Sequence, residues 1–278
     1  MKAPINKIIN FSNVDGPGNR CAIFFQACSF KCLYCHNPET IHRCNICGEC
    51  IETCPVQALS IIDGNLVWDK QKCVNCDTCI KVCKHSASPK IEELEVEELV
   101  ERIKKVKPFI RGITVSGGEC MLHANYLLEL FKEVKKLGLT CLIDSNGSID
   151  FRRHQELLDI CDGVMLDVKA VDEEFHEALC GRKNDRVLNN LEYLLSVDKL
   201  EEVRTVLLPR YMEESKQTVD YVSKKIQDKC TYKLLRYRPF GVKEQFLEVL
   251  GTDIFSLEDA QKLQELAIKN GAIHTKTI

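Results

Sequence analysis

Apolar and polar positions change period along this chain in a regular way. From Lys90 onward, stretches with apolar residues three and four apart alternate with short continuous apolar runs. The first kind reads as amphipathic helix, the second as strand covered on both faces. The pattern predicts a helix near 95–107 and a strand over 112–116, then helix 123–137 and strand 139–144, then helix 151–160 and strand 163–168. Two shorter helices near 172–180 and 185–196 precede strand 202–208; helix 213–228 precedes strand 232–237; helix 256–270 precedes a short terminal strand. Upstream, Arg20 to Gln26 (RCAIFFQ) is one more buried strand, and the residues ahead of it read as a lead-in. Strands separated by helices pair in parallel. With the first strand they make six main β/α repeats. Six do not close an eight-stranded barrel, so the expected fold class is α/β, a partial, open (β/α)6 barrel.

One segment breaks the alternation. Residues 41–88 lack long apolar runs and carry an internal repeat. The first copy is Cys44-x2-Cys47-x2-Cys50-x3-Cys54-Pro55; the second, 29 residues on, is Cys73-x2-Cys76-x2-Cys79-x3-Cys83, with Lys84 where the first has proline. Both match the four-cysteine run of bacterial ferredoxins, whereas zinc ribbons use paired C-x2-C. In two-cluster ferredoxins the fourth cysteine of each run ligates the other cluster. That assigns Cys44, Cys47, Cys50 and Cys83 to one [4Fe-4S] cluster and Cys73, Cys76, Cys79 and Cys54 to another. The expected organisation is a first barrel part at 1–40, a ferredoxin-like two-cluster insertion at 41–88 and the rest of the barrel at 89–278. So small a module has little apolar core, and its clusters are expected to hold it together.

Composition narrows the class. Seventeen cysteines with no secretion signal point to metal ligation rather than disulfides. A net charge of −3 gives no basic face for nucleic acid. No apolar run of about eighteen residues occurs, so no membrane partner is expected and the predicted location is cytoplasmic. Oxygen damages exposed low-potential clusters, which suggests an anaerobic or facultative setting.

The remaining cysteine array is the most compact. Cys28, Cys32 and Cys35 stand at C-x3-C-x2-C in a loop just after the first buried strand, the end where α/β barrels carry their chemistry. Three thiolates can hold three corners of a [4Fe-4S] cubane and leave one iron open. Small buried cysteines or an incomplete zinc site are the bland alternatives. Tyr34, between the last two, suits a ring packed beside an adenine. Other strand ends carry matching chemistry. In Ser116-Gly117-Gly118-Glu119 the glycines allow close backbone approach to a ligand, and Glu119 can accept from an ammonium group. Asp144-Ser145-Asn146-Gly147 and Met165-Leu166-Asp167-Val168-Lys169 end the next two strands, with Asp167 and Lys169 on one face. Two carboxylates and a lysine there could grip an amino-acid group or a cation; helix capping by Asp144 or Ser145 stands beside that reading. Asp15 lies in a glycine/proline turn, Asn13 to Gly18. Cys21, Cys120, Cys141, Cys161, Cys180 and Cys230 read as small buried hydrophobes.

The C-x3-C-x2-C loop with its aromatic resembles the signature of radical S-adenosylmethionine (SAM) enzymes. VDGPG at 14–18, FFQACSFKCLYCHNP at 24–38, SGGE at 116–119, DSNG at 144–147 and MLDVK at 165–169 resemble one branch of them, the glycyl radical enzyme activating enzymes. The double insertion is similar to that of activases with extra clusters, and CDTC at 76–79 with TCLIDSNG at 140–147 is closest to the YjjW group. The resemblance implies three [4Fe-4S] clusters and SAM, with a monovalent cation beside it. Cys28, Cys32 and Cys35 would hold the catalytic cluster. Tyr34, Cys35 and His36 would border the nucleoside; Gly117, Gly118 and Glu119 would meet the methionine part; Asp144, Asn146, Asp167 and Lys169 would face SAM. Asp144, Ser145, Met165 and Asp167 match the cation site. Arg238 stands where the family has a SAM-contacting histidine. Asp15 would meet the glycine loop of a partner, a glycyl radical enzyme, and a flavodoxin or ferredoxin-type reductant would supply electrons. Two other readings remain: a radical SAM enzyme acting on a small molecule or another peptide, and an iron-sulfur electron-transfer protein.

Overall fold

The computed structural model describes all 278 residues. Its strands are β1 (Lys2–Ser12), β2 (Arg20–Phe25), β3 (Leu59–Ile62), β4 (Asn65–Trp68), β5 (Glu92–Glu95), β6 (Gly112–Gly117), β7 (Thr140–Ser145), β8 (Gly163–Asp167), β9 (Leu200–Leu207), β10 (Thr231–Arg236) and β11 (Thr275–Thr277). Its helices are α1 (Glu49–Glu52), α2 (Thr78–Lys81), α3 (Val96–Val106), α4 (Ala124–Lys136), α5 (Gln155–Ile160), α6 (Glu173–Cys180), α7 (Asp185–Ser196), α8 (Met212–Ile226), α9 (Glu244–Leu250) and α10 (Leu257–Lys269). One nine-stranded sheet runs β11-β10-β9-β8-β7-β6-β2-β1-β5. Pairings from β2 through β11 are all parallel, and the order does not return on itself. The sheet is therefore an open partial barrel. No helix is long and apolar enough to cross a membrane.

The lead-in differs from expectation. It is β1, an eleven-residue strand antiparallel to β2, and β5 pairs antiparallel on its far side. Register shifts between Ile5 and Lys7 and between Ile9 and Ser12 break the two-residue alternation that would have marked it. The short β5 at the sheet's edge carries three glutamates, a charged edge that discourages pairing with another chain. The helix expected over 151–160 is a 3-10 turn, Phe151–Arg153, followed by α5, because His154 between them leaves the helical region at φ −128°, ψ 44°. Helix α9 was not foreseen.

The two faces of the curved sheet differ in chemistry. Ile113, Val115, Cys141, Ile143, Val164, Leu166 and Val203 are fully buried and belong to one core with Leu127, Leu130, Phe131, Leu158, Leu191, Leu194 and Val219 from the helices. The alternate positions face the hollow and include Arg20, Thr114, Ser116, Asp144, Glu202 and Arg204, which reach one another across the strands. Helix starts follow capping rules: Glu95 and Glu98 form a capping box on α3, and Asp172 and Ser256 accept from the first turns of α6 and α10.

The cysteine-rich segment leaves and rejoins the barrel at a neck where His42 bridges Ala87 and the His42 N–H donates to the Ser86 carbonyl at 3.0 Å. It has its own small core of Cys50, Leu59 and Cys79, flanked by Ile51, Trp68, Ile80 and Val82, and its own hairpin, β3-β4. The repeat extends from cysteines to backbone. Left-handed residues Ile46, Gly48 and Gln57 recur 29 positions later as Asn75, Asp77 and Ser86. Helices α1 and α2 start at matching points, just before the third cysteine of each copy.

Candidate active site at the mouth of the barrel

The chain leaves β2 through Ala27, held at φ 82°, and enters the loop carrying Cys28, Cys32 and Cys35. Main-chain bonds fix that loop. Lys31 N–H donates to the Cys180 carbonyl and Leu33 N–H to the Leu179 carbonyl, each at 2.9 Å, so the end of α6 supports it. The Phe30 N–H and the Asn146 side-chain amide both point at Cys28 Sγ, each at 3.4 Å. Such donors favour a thiolate. Without metal, burial pushes the Cys28 thiol to about 12 and the Cys35 thiol to about 11. Iron ligation requires the deprotonated form and would reverse this. Cys32 instead lies below the ordinary thiol range, chiefly through a hydrogen bond from Cys180. Cys180, read from sequence as a plain buried hydrophobe, thus touches the cluster loop.

The glycines after β6 have a more specific use than approach to a ligand. A Cβ at Gly117 would lie 2.2 Å from the Phe25 nitrogen, and one at Gly118 would lie 2.2 Å from the Ala27 carbonyl oxygen. Both positions let β6 pass directly against the backbone entering the cysteine loop, where Gly118 N–H and Glu119 N–H donate to Phe25 and Ala27 carbonyls. Glu119 is 1% exposed and accepts from Met121 N–H at 3.0 Å, Ser145 Oγ at 2.9 Å and Asn146 N–H at 2.8 Å. It therefore ties the SGGE turn to the DSNG loop. Burial raises its carboxyl to about 7 despite these donors.

A residue the sequence reading missed stands at the centre of the interior. Arg204 of β9 donates to Asp144 Oδ2 at 3.0 Å, to Glu202 Oε1 at 2.6 Å and to the Met165 sulfur at 3.2 Å. Lys233 of β10 pairs with the other Glu202 oxygen at 2.7 Å. Burial opposes the Arg204 charge, but Asp144 and Glu202 more than offset it and hold the guanidinium charged. Lys169 pairs with Asp167 Oδ2 at 2.8 Å and sits 5.6 Å over the Tyr34 ring. The four residues matched to a cation site thus all have protein partners. Yet Oδ1 of Asp144 and Oδ1 of Asp167 accept no bond, which leaves donor capacity on that side. The buried Tyr34 hydroxyl also has no partner.

Two asparagines of the α6–α7 region, also missed, set the loops. Asn184 donates to the Ala170 and Val171 carbonyls beyond Lys169, at 3.0 and 2.7 Å. Asn190 donates to the Gly147 and Ile149 carbonyls, at 2.8 and 2.7 Å, and accepts from Phe151 N–H. His36 Nε2 meets the Arg238 carbonyl at 3.0 Å while the Arg238 side chain is exposed, so the two are neighbours through backbone. Asp15 is not beside the cysteines. Its turn lies at the opposite strand ends, where the Asp15 carbonyl accepts from Thr114 Oγ1 and Gly16 packs on Leu142. Its carboxylate accepts from Ser12 Oγ at the end of β1, and its negative charge adds to what raises the Asp144 carboxyl, after burial and Asp167.

In the cysteine-rich segment the eight cysteines of the repeat line two cavities, with Cys79 in the wall of both. One cavity is bordered by Cys44, Cys47, Cys50 and Cys83, another by Cys54, Cys73, Cys76 and Cys79. Ala58 N–H points at Cys54 Sγ at 3.2 Å and Ile46 N–H at Cys44 Sγ at 3.4 Å, the kind of donor a cluster thiolate takes.

Residues 22–222 match the family described as the Radical SAM superfamily. A Haemophilus influenzae protein described as a glycyl-radical enzyme activating enzyme is 31% identical over 298 aligned positions, covering 99% of this chain and 96% of that one. The chain belongs to the radical SAM superfamily, in its branch of glycyl-radical enzyme activating enzymes. The Staphylococcus aureus pyruvate formate-lyase-activating enzyme is 28% identical, covering 97% of this radical SAM chain and 93% of its own. In fold, the chain is similar to Streptococcus suis SuiB, at TM-score 0.60 and 13% identity over 91% of this chain and 47% of that one. A [4Fe-4S] cluster and SAM go with the superfamily, and the donor set fits: three thiols on one loop, N–H groups aimed at sulfur, and polar groups around the mouth.

Proposed function

We propose that this radical SAM protein activates a glycyl radical enzyme. The cluster and SAM, when bound and reduced, supply a 5′-deoxyadenosyl radical that takes a hydrogen atom from a glycine Cα of the partner. Cys28, Cys32 and Cys35 hold the cluster. Tyr34, with its unpartnered hydroxyl, and His36 border the nucleoside, next to Arg238. Gly117, Gly118 and Glu119 form the wall for the methionine end, and Asn146, Asp167 and Lys169 fix the remaining polar groups. Asp144, Ser145, Met165 and Asp167 can take a monovalent cation on the free Oδ1 side. Asp15 meets the partner's glycine loop from the far end of the interior. Arg204, Glu202 and Lys233 line the path between, so an extended segment finds donors and acceptors rather than an apolar plug.

The insertion holds two further [4Fe-4S] clusters on its tetrads, Cys44, Cys47, Cys50, Cys83 and Cys73, Cys76, Cys79, Cys54. With clusters bound there, these eight cysteines would supply a route for electrons from a flavodoxin or ferredoxin-type reductant to the cluster held by Cys28, Cys32 and Cys35. The observation that carries the reading is the three-thiol loop at a strand end, facing a charged barrel interior that a simple electron carrier would have no use for. Anaerobic reconstitution should give about twelve irons per chain. The reduced protein should turn SAM into 5′-deoxyadenosine and methionine. Reduction without SAM consumption would make it an electron-transfer protein instead.

A further inference from the structure

Three phenylalanines of the chain stand exposed, and two of them meet. Phe11, near the end of β1, is 52% exposed, and Phe109, in the 3-10 turn after α3, is 67% exposed. Their rings pack edge to face with centroids 6.1 Å apart. Val14, three residues beyond Phe11, is 76% exposed. These side chains surround the Asp15 turn, at the strand ends opposite the cysteines. Val14 precedes Asp15, and Phe11 precedes Ser12, whose hydroxyl donates to the Asp15 carboxylate.

The support under this patch is fixed. Asn19 closes the glycine/proline turn onto the chain leaving α3. Its side-chain amide donates to the Phe109 carbonyl at 2.7 Å, and its own carbonyl accepts from Arg111 N–H at 2.8 Å. Beneath, Thr114 Oγ1 donates to the Asp15 carbonyl, and Arg20 donates to Thr114 Oγ1 at 2.8 Å and to the Pro17 carbonyl at 3.4 Å. Gly18, left-handed at φ 79°, lies directly under Arg111, whose Cδ would stand 3.0 Å from a Cβ there. Turn and aromatic pair are thus tied into one surface. Large apolar side chains clustered in water on such a support mark an interaction site.

Charge adds a border. Upstream on α3, Arg102 and Lys104 have carboxylate partners, Glu92 and Glu101. Lys107 and Arg111, on either side of Phe109, are exposed and have none. An apolar centre with a charged rim is the anatomy of a protein interface. The surface is also continuous with the polar interior behind Asp15. A protein that feeds an extended segment past Asp15 must seat its folded body on this rim.

Resting on the activase reading, we propose that Phe11, Val14 and Phe109, bordered by Lys107 and Arg111, dock the folded body of the glycyl radical enzyme. This surface is separate from the groups that hold the glycine segment itself. The partner it fits carries an apolar recess with an acidic edge. Burial of the two rings holds the complex, and the border charges act on encounter.

The test compares a whole partner with its isolated segment. The reconstituted full chain is used as wild type, Phe11→Ser/Phe109→Ser, Arg111→Glu and, as a control, Ile273→Ser, an equally exposed apolar residue ahead of β11 at the far edge of the sheet. The substrates are each glycyl radical enzyme of the source organism, free of radical, and a short synthetic peptide spanning its radical glycine, α-deuterated. Glycyl radical is counted by electron paramagnetic resonance, binding by calorimetry, and transfer from the peptide by deuterium in 5′-deoxyadenosine. The double variant should raise the partner concentration for half-maximal radical formation, and the dissociation constant, by about tenfold or more. Arg111→Glu should weaken binding by less, with an effect that shrinks as salt is added. Deuterium transfer from the peptide should match wild type in every variant, and Ile273→Ser should match wild type throughout. A double variant that behaves like Ile273→Ser toward the whole enzyme would overturn the docking surface. So would an equal loss with the peptide, or a wild-type dimer in sedimentation that the double variant abolishes, which would make a second copy of the chain the occupant. Wild type that transfers no hydrogen from peptide or partner would instead remove the activase reading; calorimetric binding lost in the double variant would still uphold the surface, and no binding by wild type would overturn it as well.

Discussion

Cys32→Ala protein is expected to keep about two-thirds of its iron and to cleave no SAM above background. The expectation follows from where the cysteines lie. The loop of Cys28, Cys32 and Cys35 is held by main-chain bonds to Thr40, Ile41, Leu179 and Cys180, none of which uses the Cys32 sulfur. The fold should therefore survive the substitution. The two tetrads of the insertion border two cavities that have only Cys79 in common and share no cysteine with the loop. They should retain their clusters and the spectra that go with them. A cluster left with two ligands does not hold the geometry that an open iron requires. Because the Cys180 thiol lies against Cys32, the Cys32→Ala/Cys180→Ala double variant is the stricter form, removing a sulfur that could stand in. Cys47→Ala should do the reverse, disturbing the insertion first. Dithionite-driven cleavage in Cys32→Ala at the wild-type rate would show that chemistry resides elsewhere.

The second large effect is on stability. Arg204→Ala should cost about 3–5 kcal/mol, measured by denaturant unfolding of the anaerobic holoprotein. The guanidinium is 13% exposed and neutralises Asp144, also 13% exposed, and part of Glu202, 6% exposed. Its removal leaves Asp144 a buried carboxylate with only Ser116 Oγ to donate to it, whereas Glu202 keeps Lys233. Burial already raises the Asp144 carboxyl, and loss of Arg204 raises it further. For a carboxyl whose folded value is raised, the penalty is absent below its unfolded value and grows as pH rises through the folded one. The gap between variant and wild type should thus narrow as pH falls and widen toward neutrality. Arg204→Lys, which keeps a charge but loses the fork that reaches both carboxylates, should fall between them. An unfolding midpoint unchanged in Arg204→Ala would mean that the interior pair is not compensating buried charge.

What could be read from the sequence was what depends on spacing along the chain. The C-x3-C-x2-C loop, the 29-residue repeat and the strand-end motifs are local, and the helix and strand periods of the barrel are local too. The structure places those motifs at strand ends around one mouth. Strand β1 escaped because two bulges spoil its alternation. Arg204 escaped because an arginine inside a strand has no distinguishing neighbours; its partners Asp144 and Met165 lie 60 and 39 residues away. Asn184 stands just ahead of an ordinary amphipathic helix and Asn190 midway along it, and only the fold shows that they grip the loops carrying Lys169 and Asn146. The glycines of SGGE were visible, but their reason was not: the backbone that crowds them belongs to the cysteine loop, over ninety residues earlier.

The central claim is that the hydrogen acceptor acts on a protein backbone, and electron paramagnetic resonance tests it most directly. The reduced chain, SAM and a candidate glycyl radical enzyme are mixed anaerobically, with Asp15→Ala as a variant that should keep SAM cleavage but lose transfer to the partner. The account predicts a glycyl doublet on the partner that collapses when its glycine is α-deuterated. 5′-Deoxyadenosine formed at full rate with no radical on the partner would contradict it and leave a small-molecule substrate in its place.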